Sequence, residues 1–180
     1  MIYLIRFKLY KIHQRLSSEL RKIYKYIIYK ILKIKKPYKM AIVYISEKYN
    51  QIIIVPYYFN KDGINYEQEM CYLYDINIDD ETLGIEIINA LNKFEYNDKK
   101  YIINYKLTDG PAFRYSKLKT IKLFKEHYKY ISIDERNGCM QFYIEYPPNN
   151  KNGYGMKISE IQNNAKNCDI GKKIKEIYTM

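Results

Sequence analysis

Five carboxylates, Asp75, Asp79, Asp80, Glu81 and Glu86, fall close together in this chain. Such a cluster could ligate a divalent cation or meet a basic partner. Calcium ligation needs oxygens at fixed loop positions, and the EF-hand spacing is absent. Asp79, Asp80 and Glu81 stand where a helical pattern begins, which suits N-capping and the helix dipole. Capping accounts for them, and a partner surface stays open beside it. His13 and His127 are the only histidines. Nothing around either resembles a nucleophile elbow or a cysteine-protease signature, so neither reads as part of a Ser-His-Asp or Cys-His arrangement. Asp109-Gly110-Pro111 reads as a turn, since Asp109 has no other acidic residue or His between Lys99 and Lys125. Cys71, Cys139 and Cys168 are odd in number and lack a C-x-x-C, so they read as reduced, mostly buried thiols. Gly84 and Gly171 each stand alone in a helical pattern, with no phosphate-loop sequence around them, and read as sites of close helix-on-sheet packing. The residues thus point to no catalytic, cofactor-binding or metal site and to a protein that is not an enzyme; partner-binding residues stay unassigned.

The elements that carry these residues divide the chain by charge. The whole sequence has a formal net charge of +11. Residues 1–39 hold twelve Lys or Arg against Glu19, and residues 40–180 hold nineteen basic and nineteen acidic side chains. The excess therefore sits in an N-terminal segment. That segment shows helical periodicity over 2–35, with Ile5, Leu9, Ile12, Leu16, Leu20, Ile23, Ile27, Ile31 and Ile34 on one stripe. Pro37 predicts its end. The stripe favours docking or self-association, and the lysines leave binding to nucleic acid or an anionic membrane surface through residues 1–36 open. No secretory signal is evident, and Ile52 to Phe59, the longest uncharged apolar run, is far below the ~20 residues of a spanning helix.

From Met40 the pattern becomes that of short strands. Ala41–Ile45 and Gln51–Pro56 predict a hairpin, Lys61-Asp62-Gly63 a turn, and Met70–Tyr74 a third strand. A helix follows with Leu83, Ile87, Ile88 and Leu91 on one face. Lys100–Lys106 reads as extended, and Ser116 as the cap of a basic helix over 117–128. Tyr130–Asp134 and Cys139–Tyr146 then predict a second hairpin about Asn137-Gly138. Pro147-Pro148 ends it, Met156–Ile158 gives another strand, and Asp169–Tyr178 the closing helix. Tyr44-Ile45-Ser46 returns as Tyr130-Ile131-Ser132, and Leu83-Gly84-x-x-Ile87 as Ile170-Gly171-x-x-Ile174. The expectation is one α+β domain over 40–180, built from two repeated units of hairpin, third strand and helix, about 41–94 and 117–180.

This arrangement resembles the immunity proteins of contact-dependent growth inhibition systems. The resemblance lies in Asp79 to Leu91, in Lys122-Leu123-Phe124-Lys125 leading to Tyr130–Ile133, in Asn137-Gly138 and Pro147-Pro148, and in Asp169-Ile170-Gly171. It covers roughly residues 40–180. The second copy departs from it, with Lys166-Asn167-Cys168-Asp169 in place of an acidic cluster and Ile177-Tyr178 in place of Ala90-Leu91. The resemblance implies a cytoplasmic protein, with the arm allowing a place at the inner membrane's periphery, that neutralises a cognate toxin domain by direct binding and occlusion of its active site. It implies no cofactor and carries over no contact residue.

Overall fold

The computed structural model describes residues 39–59, 65–96, 110–144 and 156–180. The helix expected over 2–35, His13, the turn at 61–63, the extended stretch 100–106, Asp109 and the strand end at 147–150 lie outside the described residues. Those described all belong to one compact unit, Tyr38–Met180.

The first hairpin pairs β1 (Lys39–Ser46) with β2 (Gln51–Phe59), and Asn50 at φ 49° closes the turn, a conformation Asn tolerates. Two short strands, β3 (Asn65–Glu67) and β4 (Tyr72–Tyr74), pair antiparallel with successive parts of β2. Helix α1 (Asp80–Asn92) follows, then β5 (Glu95–Tyr96), which runs parallel to the end of β2. Two short helices come next, α2 (Pro111–Tyr115) and α3 (Ile121–His127). The second hairpin pairs β6 (Lys129–Arg136) with β7 (Cys139–Ile144). Asn137 and Gly138 sit at φ 50° and 82°, the paired positive values that a two-residue hairpin loop requires. Strand β8 (Met156–Gln162) and helix α4 (Asn167–Thr179) complete the chain.

The fold is α+β. The sheet runs β3-β2-β1-β6-β7-β8, with β4 and β5 also on β2. β1 and β6 meet antiparallel at the centre, with Tyr44 opposite Tyr130. Both open a Tyr-Ile-Ser segment. Hairpin, third strand and helix lie in the same order on either side.

Alternation along β1 sorts the core into two layers. Ala41, Val43 and Ile45 face α1 and α4, and pack with Leu83, Ile87, Leu91, Ile170 and Ile174. Ile42 and Tyr44 face the other way, toward Ala112, Phe124 and Tyr128 of the α2–α3 layer.

Several expectations are corrected here. Ser116 does not cap a helix over 117–128. It ends α2, its hydroxyl donating to the Phe113 carbonyl at 2.6 Å, and Thr120 caps the shorter α3 by accepting the Leu123 N–H at 3.3 Å. Gly110-Pro111 is not simply a turn. Gly110 stands at the N-cap and Pro111 opens α2, where a missing N–H costs nothing. Gly84 and Gly171 do fit close packing, but of helix on helix. A Cβ at Gly84 would lie 1.9 Å from the Asn167 carbonyl oxygen of α4, and one at Gly171 would lie 2.0 Å from that of Asp80 in α1. The third strand of the second unit is longer than the expected Met156–Ile158 and reaches Gln162.

Candidate functional site

The acidic run before α1 is consumed in building the helix pair. Asp79 accepts the Thr82 N–H at 2.8 Å and the Thr82 hydroxyl at 2.7 Å, and these bonds hold its carboxyl below the ordinary range. Asp80 pairs with Lys175 of α4 at 2.7 Å. Glu81 reaches across to the neighbouring helix, where it accepts the Cys168 N–H at 3.0 Å and the Asn167 side-chain amide at 3.1 Å. Lys166, at the N-cap of α4, makes no side-chain cap bond, so Glu81 caps that helix from outside it. Asp75 accepts two bonds from Asn77 at 2.8 and 2.9 Å. Glu86 accepts from the Tyr74 hydroxyl. Among the described residues no group of three or more His, Cys, Asp or Glu is placed to hold a metal ion.

A second polar centre lies on the opposite side of the sheet, in the layer formed by α2 and α3. Glu67 of β3 accepts the Tyr44 hydroxyl at 2.7 Å and the Ala112 N–H of α2 at 2.9 Å. One carboxylate thus ties a central strand, an edge strand and the first turn of a helix. Burial raises the Glu67 carboxyl, against the pull of both bonds, and raises the Tyr44 phenol strongly. Beside it, buried Gln68 donates to the Tyr57 carbonyl at 3.0 Å and to the Lys93 carbonyl at 2.6 Å, joining β2 to the end of α1. Arg114 of α2 forms an ion pair with Glu69.

Aromatic rings connect this centre to α3. Phe124 lies between Tyr44, Phe113 and Tyr128, with ring centroids 5.1, 5.8 and 4.8 Å away. Tyr44 meets Tyr130 edge-on at 5.6 Å. The Tyr128 hydroxyl donates to Gln51 at the start of β2, and Tyr49 of the β1–β2 turn stacks against Tyr128. A helix of seven residues is thereby fixed at both ends of its buried face. Such locking of side chains is what a pre-organised binding surface requires.

His127 does not turn back on the carbonyls of its helix. Its ring meets Tyr49 edge-on, and its Nε2 lies 3.0 Å from Lys48 Nζ, so with a protonated lysine the imidazole accepts there. Neither contact prepares it as a general base for a nucleophile. The three cysteines are free, as expected, but half-buried and not mostly buried. Burial pushes the Cys71 thiol up to about 12, which keeps it from acting as a thiolate nucleophile near neutral pH.

The outward side of the α2–α3 layer is basic with an apolar middle. Lys117, Lys119, Lys122, Lys125 and Lys129 are exposed, and Glu126 is the single acidic residue among them. Tyr115 and Leu123 are also exposed there. Leu73 of β4 stands opposite Ile53 in the ladder and so shares its face of the sheet, at the flank of the same layer. Leu73 is 41% exposed and nearby Met70 is 54% exposed, which leaves the flank open to a partner. Sequence reading left the contact residues unassigned. It missed Glu67, Gln68 and Thr120, and of these only the polar cap before a helical run had a local signal.

No helix among the described residues is long and apolar enough to cross a membrane. No protein-family model matches the chain, and no curated protein matches it. Solved structures do. A protein of unknown function from Neisseria meningitidis is 16% identical, with a TM-score of 0.55 over 77% of this chain and 92% of the other. A chain from the CdiA-CT/CdiI toxin and immunity complex of Yersinia pseudotuberculosis is 13% identical, with a TM-score of 0.56 over 80% of this chain and 97% of the other. At these identities the likeness is one of fold, and the fold is shared with a chain of a toxin and immunity complex.

Proposed function

We propose that this chain is a non-enzymatic immunity protein, which binds the toxin domain of a cognate contact-dependent growth inhibition effector and covers its active cleft. The observation that carries this reading is the shared fold, which spans 80% of this chain and 97% of a chain from a toxin and immunity complex. The interlocked buried rings behind α3 give a firm framework on which Tyr115 stands exposed, and this supports it: tyrosine offers large contact area with a polar tip. On this reading the protein works in the cytoplasm, where a delivered toxin acts. Co-expression with the toxin domain encoded beside this gene should restore growth and give a co-purifying complex. Normal toxicity with no complex would sink the proposal.

The twelve Lys or Arg of residues 1–39 favour a second reading, in which the N-terminal segment binds nucleic acid or an anionic membrane surface. It predicts salt-sensitive binding of the full chain to RNA or anionic vesicles. Replacing the lysines of residues 1–36 by glutamine should abolish that binding, and unchanged binding would refute the reading.

A further inference from the structure

The balance of charge over 40–180 conceals a division between the two units. Residues 40–96 carry three Lys and ten Asp or Glu, a net −7, whereas residues 110–180 carry thirteen Lys or Arg and seven acids, a net +6. Five of those lysines lie between 117 and 129, on or beside α3. The apolar residues Tyr115 and Leu123 are exposed among them, and Leu73 and Met70 flank the layer. An apolar centre with a charged rim on a locked framework is the anatomy of a protein-docking surface.

Resting on the immunity reading for the partner's identity, we infer that the α2–α3 face is where the toxin domain docks, and that the toxin presents an acidic surface to it. The basic rim calls for an acidic occupant. A single-stranded nucleic acid needs exposed aromatic faces on which bases stack. Tyr49 has its ring against Tyr128, its edge against His127 and Lys48 Nζ 5.8 Å from its centroid, which leaves Tyr115 as the exposed ring on this face among the described residues, where stacking successive bases uses several. A second copy would have to bring its acidic first unit to this face, a heterologous contact that would show as concentration-dependent mass.

The test compares two double charge reversals in the full-length protein, each changing the net charge equally. K122E/K125E alters α3, and K166E/K172E alters exposed lysines at the N-cap and in the first turns of α4 on the other side of the sheet. Affinity for the toxin domain encoded beside this gene is measured by calorimetry, with thermal melts checking that both variants fold. The α3 variant should bind at least about tenfold more weakly, while the α4 variant stays within about twofold of wild type. Wild-type affinity should fall as salt rises, and the α3 variant should lose that dependence. If the toxin binds wild type and both variants alike, the docking face is wrong and the immunity reading stands. If wild type does not bind the toxin, both fail. An α3 variant that fails to melt cooperatively is replaced by K122Q/K125Q, read against the same thresholds. Concentration-dependent mass in the absence of toxin, abolished by K122E/K125E, would overturn the proposal in favour of self-association.

Discussion

Replacing Gly84 by alanine sets two known effects against each other. Alanine is favoured over glycine inside an exposed helix by about 1 kcal/mol, so the change would stabilise α1 if nothing stood near it. The Asn167 carbonyl oxygen does stand near it. The new methyl would lie 1.9 Å from that oxygen, 2.5 Å from its carbon and 2.9 Å from the Asn167 Cα. Heavy atoms in contact sit about 3.5 Å apart, so the two helices must separate by more than about 1 Å. The obstruction is backbone at the start of α4, which cannot rotate away as a side chain can. Separation would also loosen the Leu83, Ile87, Ile170 and Ile174 seam and stretch the two bonds from α4 to Glu81. Overpacking of this kind costs about 1–3 kcal/mol, and lost seam contacts bring the total toward the upper end. After the propensity gain, a net loss of about 2 kcal/mol remains, or roughly 4–8 °C in melting temperature for a chain of this size. G171A, facing the Asp80 carbonyl at 2.0 Å, should behave alike. Because both changes open one seam, G84A/G171A should fall short of the sum of the two losses. The assay is thermal unfolding by circular dichroism, with N89A on the exposed side of α1 as control. A G84A protein that melts at or above the wild-type temperature would refute the close approach of the helices.

Three further predictions follow from single side chains. E81A removes the carboxylate that caps the Cys168 N–H in the first turn of α4 and should cost about 1 kcal/mol, visible as faster amide exchange at Cys168. Q68L removes the buried side-chain bonds to the Tyr57 and Lys93 carbonyls, and should lower stability by about 1–3 kcal/mol in urea titrations with an unchanged m-value. Burial raises the Glu67 carboxyl above its ordinary value of 4.5, so the folded state holds its proton more tightly than the unfolded state does. Its contribution is full below pH 4.5 and is lost as pH rises through the higher folded value. Melting temperature should therefore show a downward component as pH rises above the ordinary carboxylate range that E67Q removes. An identical pH profile in E67Q would refute it. Asp79 acts in the opposite sense but lower, below its ordinary value of 3.8, and does not confound that range.

What was legible in the sequence follows from how local each cause is. Both hairpins could be read, because β-branched runs and Asn137-Gly138 act over a few residues. α1 and α4 could be read from periodicity. β3 and β5 could not, since ladders of two or three residues exist only because β2 is already in place. α3 was misplaced because Ser116 and Thr120 are both good caps, and tertiary packing of Phe124 decided between them. Gly84 announced a need for space, but nothing local said whether a strand or a helix would fill it. Glu67 was invisible for the same reason: its two partners are 23 and 45 residues away.

The central ladder has a kinetic consequence. β1 and β6 join residues 86 apart, Tyr44 to Tyr130, whereas each hairpin closes over a few residues. The hairpins can form early, but the ladder between them bears the loop-closure entropy of the whole intervening chain and closes late. Until it does, β1 and β6 are each the bare edge of a half-built sheet, open to pairing with the same strand of another nascent chain. In the finished molecule both edges are hidden against each other, and the strands most able to mispair are those least accessible to do so.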